Sequence, residues 1–201
     1  DLESLLDHLE IDRAVIVGQS MGGWTMVEFA LKHPARVAGM VFASTTGTLD
    51  FTRLAHPATA ALPAWQAKAK AEAAALAAEK IHPACGRRMA AAMPELYELY
   101  LEIDRMNASL DKEAIRGRLA RTRSRPPADL DRVPAPKLFI AGGEDIVMPA
   151  AGIEALAKAA RDARHVCVKT AGHSVYFEQA EIFNAALGAF LREIAPPSRR
   201  P

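Results

Sequence analysis

The run Ala14-Val-Ile-Val-Gly-Gln-Ser-Met-Gly-Gly23 constrains this chain more than any other stretch. It joins a short β-branched apolar segment to Gly-x-Ser-x-Gly and then, at once, to a helix-compatible sequence. That order places Ser20 on a tight strand-to-helix turn, in strained backbone that pushes its hydroxyl out over the end of a parallel sheet. Gly18 and Gly22 flank the serine where side chains are expected to collide across the turn. Gly23 lets the following helix pack close to the strand.

The rest of the chain supplies that sheet. Leu2, Leu5, Leu6, Leu9 and Ile11 recur at helical spacing, which predicts an opening amphipathic helix covering one face of the sheet. Residues 13–18 form the first strand. A helix over 21–32 carries Trp24, Met26, Val27, Phe29, Ala30 and Leu31 nearly all round, so it is buried, and Pro34 ends it. The second strand, 37–43, is too uniformly apolar to have a wet face, and strand-helix-strand in this length implies parallel pairing. From 49 to 132 the rhythm turns helical, with helices expected at 64–80, 94–108 and 112–121. The Pro126-Pro127 and Pro134/Pro136 pairs mark its exit. Strands at 137–141 and 165–169, a helix at 149–161 and a closing amphipathic helix through Phe183, Ala186, Leu187, Phe190 and Ile194 complete an α/β pattern with four legible strands.

A chain of 201 residues, 50% hydrophobic and 24% charged, suffices for one domain with a sizeable core. A formal net charge of +1 with mixed signs offers no electrostatic footprint for nucleic acid or an anionic membrane. Only the tail Ser198-Arg-Arg-Pro201 is basic. Cys85 and Cys167 lie far apart and in no metal-ligand spacing, so the expectation is two buried thiols in a reducing compartment, with no metal and no cofactor. The absence of a long apolar run or a signal peptide points to a cytoplasmic protein without membrane contact.

A serine hydroxyl attacks carbonyl carbon well only when a base removes its proton and a third group fixes the base's tautomer. In open parallel sheets such groups gather beyond the carboxyl ends of the strands. The third strand ends in Gly142-Gly-Glu-Asp-Ile-Val-Met-Pro149, which offers Asp145, with Glu144 beside it as an alternative. The fourth ends in Thr170-Ala-Gly-His-Ser174, which offers His173. Ser20, Asp145 and His173 then follow in the order nucleophile, acid, histidine. The Met21 backbone N–H is placed to stabilise an oxyanion. His8, His33, His56, His82 and His165 carry no such signal, and Tyr97, Tyr100, Met89, Met93 and Met106 read as helix packing before they read as an acyl pocket.

On GQSMGG with its following helix and HPARV, on GGEDIVMP and on AGHS, the sequence resembles the α/β-hydrolase superfamily, in the branch with a helical cap between the sixth and seventh strands. The resemblance implies an α/β-hydrolase core at 1–48 and 133–201 and a cap or lid at 49–132. It also implies Ser20 as nucleophile, His173 as general base and Asp145 as orienting acid. A serine in the elbow sets the chain apart from the haloalkane dehalogenases and epoxide hydrolases of this fold, which use aspartate there. The activity implied is hydrolysis of a small ester, lactone or related carbon–carbon bond. The alternatives are acyl transfer on the same triad, or a truncated, non-catalytic protein acting through a partner. Such proteins carry four further strands and a His-Gly oxyanion loop before the point matching Asp1. The expectation is therefore the C-terminal part of a larger fold, catalytically weak as it stands, with residues 13–17 as a bare sheet edge that either pairs with another copy, as a homodimer or aggregate, or is covered by a missing segment.

Overall fold

Ile16 and Val17, Met40 and Val41, and Leu138 and Ile140 belong to short apolar runs that become neighbouring strands of one sheet, because each run satisfies its backbone best by pairing with another. The computed structural model describes residues 1–106 and 111–195. Its strands are β1 (Ala14–Gln19), β2 (Val37–Ala43), β3 (Lys137–Gly142) and β4 (Ala163–Val168), all parallel and in the order β1-β2-β3-β4. Gln19 pairs with Ala43, Ala43 with Ile140, and Gly142 with Val168, so all four strands finish along one edge. The basic tail at 198–201 lies outside the described residues.

Alternation along the strands divides the core into two layers. Met40, Phe42, Phe139 and Ala141 face one side, where α2 (Gly22–Lys32) and α7 (Ala150–Ala159) pack. Phe42 and Phe139 stack there, with ring centroids 4.3 Å apart. Val41, Ala43, Leu138 and Ile140 face the other side, against α8 (Val175–Glu178) and α9 (Ala180–Ile194). The uniformly apolar β2 and β3 are buried on both faces, as parallel pairing between helical layers requires.

The 49–132 segment holds α3 (Pro57–Ala78), α4 (Gly86–Ala92), α5 (Pro94–Arg105) and α6 (Lys112–Thr122). An isolated parallel bridge between Leu49 and Arg125 ties its two ends together. Cys85, Met89 and Tyr97 form a small core among these helices, with Tyr100 and Phe177 against it. The packing reading thus holds for Met89 and Tyr97, whereas Met106 is exposed.

Several expectations need correction. The opening helix, α1 (Leu2–His8), joins the first of the two core layers only through Leu6 and the half-buried Leu2; Leu5, Leu9 and Ile11 are exposed, so much of the expected apolar face is left uncovered. Helix α3 starts seven residues before the expected 64, because His56 accepts the Ala58 N–H at 3.2 Å and Pro57 is preorganised at the first position. The Ala-rich sequence then carries the helix through Pro63. Helices α4 and α8 are too short to show a period. Cys167, on the edge strand β4, is exposed, while Cys85 is buried and its thiol is pushed up to about 12, chiefly by loss of solvent.

Candidate active site

Ser20 follows β1 directly and has φ of +47°, a left-handed conformation that an L-residue rarely adopts. The turn is held on every side. The Ser20 N–H donates to the Ala43 carbonyl at 3.0 Å, and the Ser20 carbonyl accepts from the Gly23 N–H at 3.1 Å and the Thr45 hydroxyl at 2.7 Å. Such strain persists only where the surroundings over-determine it. Two of the glycines are what let the surroundings come so close. A Cβ on Gly18 would lie 2.9 Å from the Gly23 Cα, and one on Gly23 would lie 2.4 Å from Thr45 Oγ1. Gly22 departs from expectation, since a Cβ there would meet nothing within 4 Å.

The three expected side chains come together. His173 Nε2 lies 2.8 Å from Ser20 Oγ, and His173 Nδ1 lies 2.8 Å from Asp145 Oδ2. Asp145 Oδ1 accepts the Val147 N–H at 2.7 Å and the Met148 N–H at 2.9 Å. With one oxygen held by its own loop, the other can only present itself to the imidazole. Asp145 and His173 are 5% and 4% exposed, so their contact is shielded from water. Glu144, the alternative carboxylate, turns outward into an ion pair with Arg88 and does not reach His173.

The Met21 N–H, at the entrance to α2, has no hydrogen-bond partner among the described residues. It adjoins Ser20 at the positive end of the helix, where an oxyanion is favoured. Of the other histidines, His33 pairs with Glu3, His56 caps α3 and His82 Nδ1 accepts the Ala84 N–H, while His8 ends α1 and His165 lies on β4 with its Nε2 buried and unbonded among the described residues. Among the described residues no group of three His, Cys, Asp or Glu side chains is placed to hold a metal ion. No helix there is long and apolar enough to cross a membrane.

Sequence reasoning missed Glu178. This carboxylate is 4% exposed and accepts the Gly172 N–H at 2.9 Å and the Ser174 N–H at 3.2 Å, the two amides that flank His173. Burial pushes it up to about 7 against the opposing effect of those two hydrogen bonds, and the Asp145 and Glu144 carboxylates add to the rise. A glutamate five residues after the histidine was the available signal. A cavity of about 460 Å³ lies behind the acid loop, lined by residues such as Trp65, Arg88, Glu144 and Asp145, but Ser20 is not part of its wall.

Residues 1–180 match the family described by the alpha/beta hydrolase fold. Among solved structures, the chain is similar to a thermophilic esterase from Thermogutta terrifontis, with 26% identity and a TM-score of 0.69 over 98% of this chain and 71% of that one. It is also similar to the enol-lactonase from Burkholderia xenovorans LB400, with 26% identity and a TM-score of 0.66 over 96% of this chain and 70% of that one. A curated relative, homoserine O-acetyltransferase from Thermus thermophilus, is 29% identical over 211 residues, covering 93% of this chain and 55% of its own. The chain thus spans about half the length of that relative. With the elbow, the parallel sheet and the match over residues 1–180 in agreement, this chain belongs to the α/β-hydrolase family.

Proposed function

We propose that Ser20, His173 and Asp145 act as a catalytic triad that hydrolyses a small carboxylic ester or lactone through an acyl-enzyme. The observation that carries this reading is the continuous chain of two 2.8 Å contacts from Ser20 Oγ through both ring nitrogens of His173 to Asp145. Ser20 Oγ attacks the carbonyl carbon while His173 Nε2 takes its proton, and Asp145 stabilises the imidazolium through Nδ1–H. The Met21 N–H donates to the developing oxyanion. His173 then returns the proton to the leaving alcohol. Water, activated by the same nitrogen, releases the acid and regenerates Ser20. Residues 49–132 serve as the cap over this site, and related carbon–carbon bond cleavage falls within the same chemistry.

A second reading, acyl transfer to an alcohol or amine, draws support from the similarity to an O-acetyltransferase. It uses the same acyl-enzyme and differs only in what attacks it. Labelling with a fluorophosphonate probe, with the adduct located by mass spectrometry, tests the triad; modification confined to Ser20 and abolished in His173→Ala is expected. An unlabelled Ser20 in folded protein would refute it. Turnover of an ester with and without an added acceptor then separates hydrolysis from transfer.

A further inference from the structure

Each polar group of Ser174, the residue directly after the histidine, is bonded. Its carbonyl accepts the Phe177 and Glu178 N–H groups at 2.8 and 2.9 Å. Its N–H is shared between Glu178 Oε1 at 3.2 Å and the Ala84 carbonyl at 3.1 Å, and its hydroxyl donates to Tyr100 Oη at 3.3 Å. Ser174 is 1% exposed, so these bonds do not compete with bulk water. Two of the partners, Ala84 and Tyr100, come from the 49–132 segment, far earlier in the chain.

Those two contacts belong to one unit. Tyr97 and Tyr100 stand three residues apart on α5 and so share a face. Tyr97 Oη accepts the His82 N–H at 2.9 Å, the His82 carbonyl accepts the Cys85 and Gly86 N–H groups at 3.0 and 3.2 Å, and His82 Nδ1 accepts the Ala84 N–H at 3.2 Å. These bonds close the turn that presents the Ala84 carbonyl to Ser174. Tyr100 acts on Ser174 directly. Its ring packs against His82 and edge-on against Phe177, with centroids 5.4 Å apart in each pair. Loss of solvent pushes its phenol up to about 12, so the hydroxyl stays neutral across the range in which a histidine titrates.

We propose that Tyr100 is a positioning residue for His173: through Ser174 it holds the imidazole in line between Ser20 Oγ and Asp145, which makes α5 and the 82–86 turn part of the mount of the general base rather than of a moving lid. Both ring nitrogens of His173 are engaged at 2.8 Å, and the ring is rigid, so a displacement of its loop lengthens one contact or the other. Misplacements of this kind cost rate steeply. The inference rests on the hydrolase reading for the role of His173 as a base, but not for the clamp itself.

Tyr100→Phe removes one oxygen and leaves the ring contacts in place. It should lower kcat for an ester by about two- to tenfold, the worth of one neutral hydrogen bond, with KM little changed. The second-order rate of fluorophosphonate labelling at Ser20 should fall by the same factor. Ser174→Ala should do likewise, and the double variant should be no slower than the slower single one, since both changes remove the same bond. In proton NMR, the low-field Nδ1–H signal of His173, identified by its loss in His173→Ala, should shift or broaden in both single variants. A lower melting temperature with kcat, labelling and the proton signal all unchanged would overturn the proposal and leave Tyr100 as cap packing. An effect confined to KM, or losses that multiply in the double variant, would overturn it as well. A wild-type Ser20 that resists the probe, with a His173 signal that still responds to Tyr100→Phe, would support the clamp and overturn the hydrolase reading alone.

Discussion

A Cβ on Gly142 would lie 1.9 Å from the carbonyl oxygen of Gly172, so the backbones that carry Asp145 and His173 touch directly. Gly142 ends β3 three residues before the acid, and Gly172 immediately precedes the histidine. Further backbone bonds, from the Gly143 N–H to the Val168 carbonyl at 2.9 Å and the Glu144 N–H to the Ala171 carbonyl at 2.9 Å, lock the two loops together. The acid–histidine distance is therefore set by main chain, which has no rotamers to lose. Gly142→Ala forces these loops apart and should lower both stability and activity, since overpacking costs about 1–3 kcal/mol and small displacements about a hundredfold in rate. Gly23→Ala should behave likewise through Thr45, whereas Gly22→Ala, with nothing to strike, should retain activity. Thermal melts and ester turnover on the three variants check this; a damaging Gly22→Ala would contradict the steric argument.

The proposed roles separate neighbouring carboxylates as well. Ser20→Ala and His173→Ala should each remove nearly all turnover, and combining them should cost little more, because the groups act as a unit. Asp145→Asn should reduce kcat by about ten-thousandfold by favouring the wrong imidazole tautomer. Glu144→Gln loses only an exposed ion pair with Arg88, and should change stability by no more than about 0.5 kcal/mol. Steady-state rates for the triad variants and a thermal melt of Glu144→Gln decide the matter, and an Asp145→Asn protein with normal kcat would remove Asp145 from the triad.

The elbow and both strand-end loops were legible because each depends on local chemistry: glycines where backbones meet, a serine between them, and Asp and His just past apolar runs. Asp145 was told from Glu144 only by the fold, since which of two adjacent carboxylates turns inward depends on the Val147 and Met148 amides that one of them caps. Glu178 is harder to read for a related reason: the amides it accepts belong to Gly172 and Ser174, close by in sequence, but no period marks a side chain that turns back onto backbone amides, and its burial is supplied by the fold. The fate of α1 was misread because an apolar stripe states what must be covered and not by what; Leu5, Leu9 and Ile11 remain open.

Strand β1 pairs with β2 on one side only among the described residues, and Val17 on it is 47% exposed. An apolar, β-branched edge with unpaired amides invites a strand from another molecule. Self-association of this 201-residue polypeptide through β1 is the expected outcome. Val17→Lys should shift sedimentation toward monomer, as a charge on an edge strand opposes pairing. A wild-type polypeptide that sediments as monomer at high micromolar concentration would rule the edge contact out.

Glu178 makes stability depend on pH in the direction opposite to most carboxylates. Its folded-state pKa is raised from 4.5 to about 7, so between those values the native state holds more protons than the unfolded chain. Stability therefore falls as pH rises through this window and levels off above about pH 7. Glu178→Gln cannot ionise and removes this component. The melting temperature of the wild type, relative to the variant, should decline from pH 5 to pH 8. The ionised carboxylate also bonds the Gly172 and Ser174 amides more strongly than a neutral amide can, so the variant should position His173 less well and lose about ten- to a hundredfold in kcat. Its fluorophosphonate labelling should slow in proportion, since both readouts depend on the same imidazole. Parallel melting curves across that range, with unaltered kcat, would reduce Glu178 to a buried carboxylate with no bearing on the histidine.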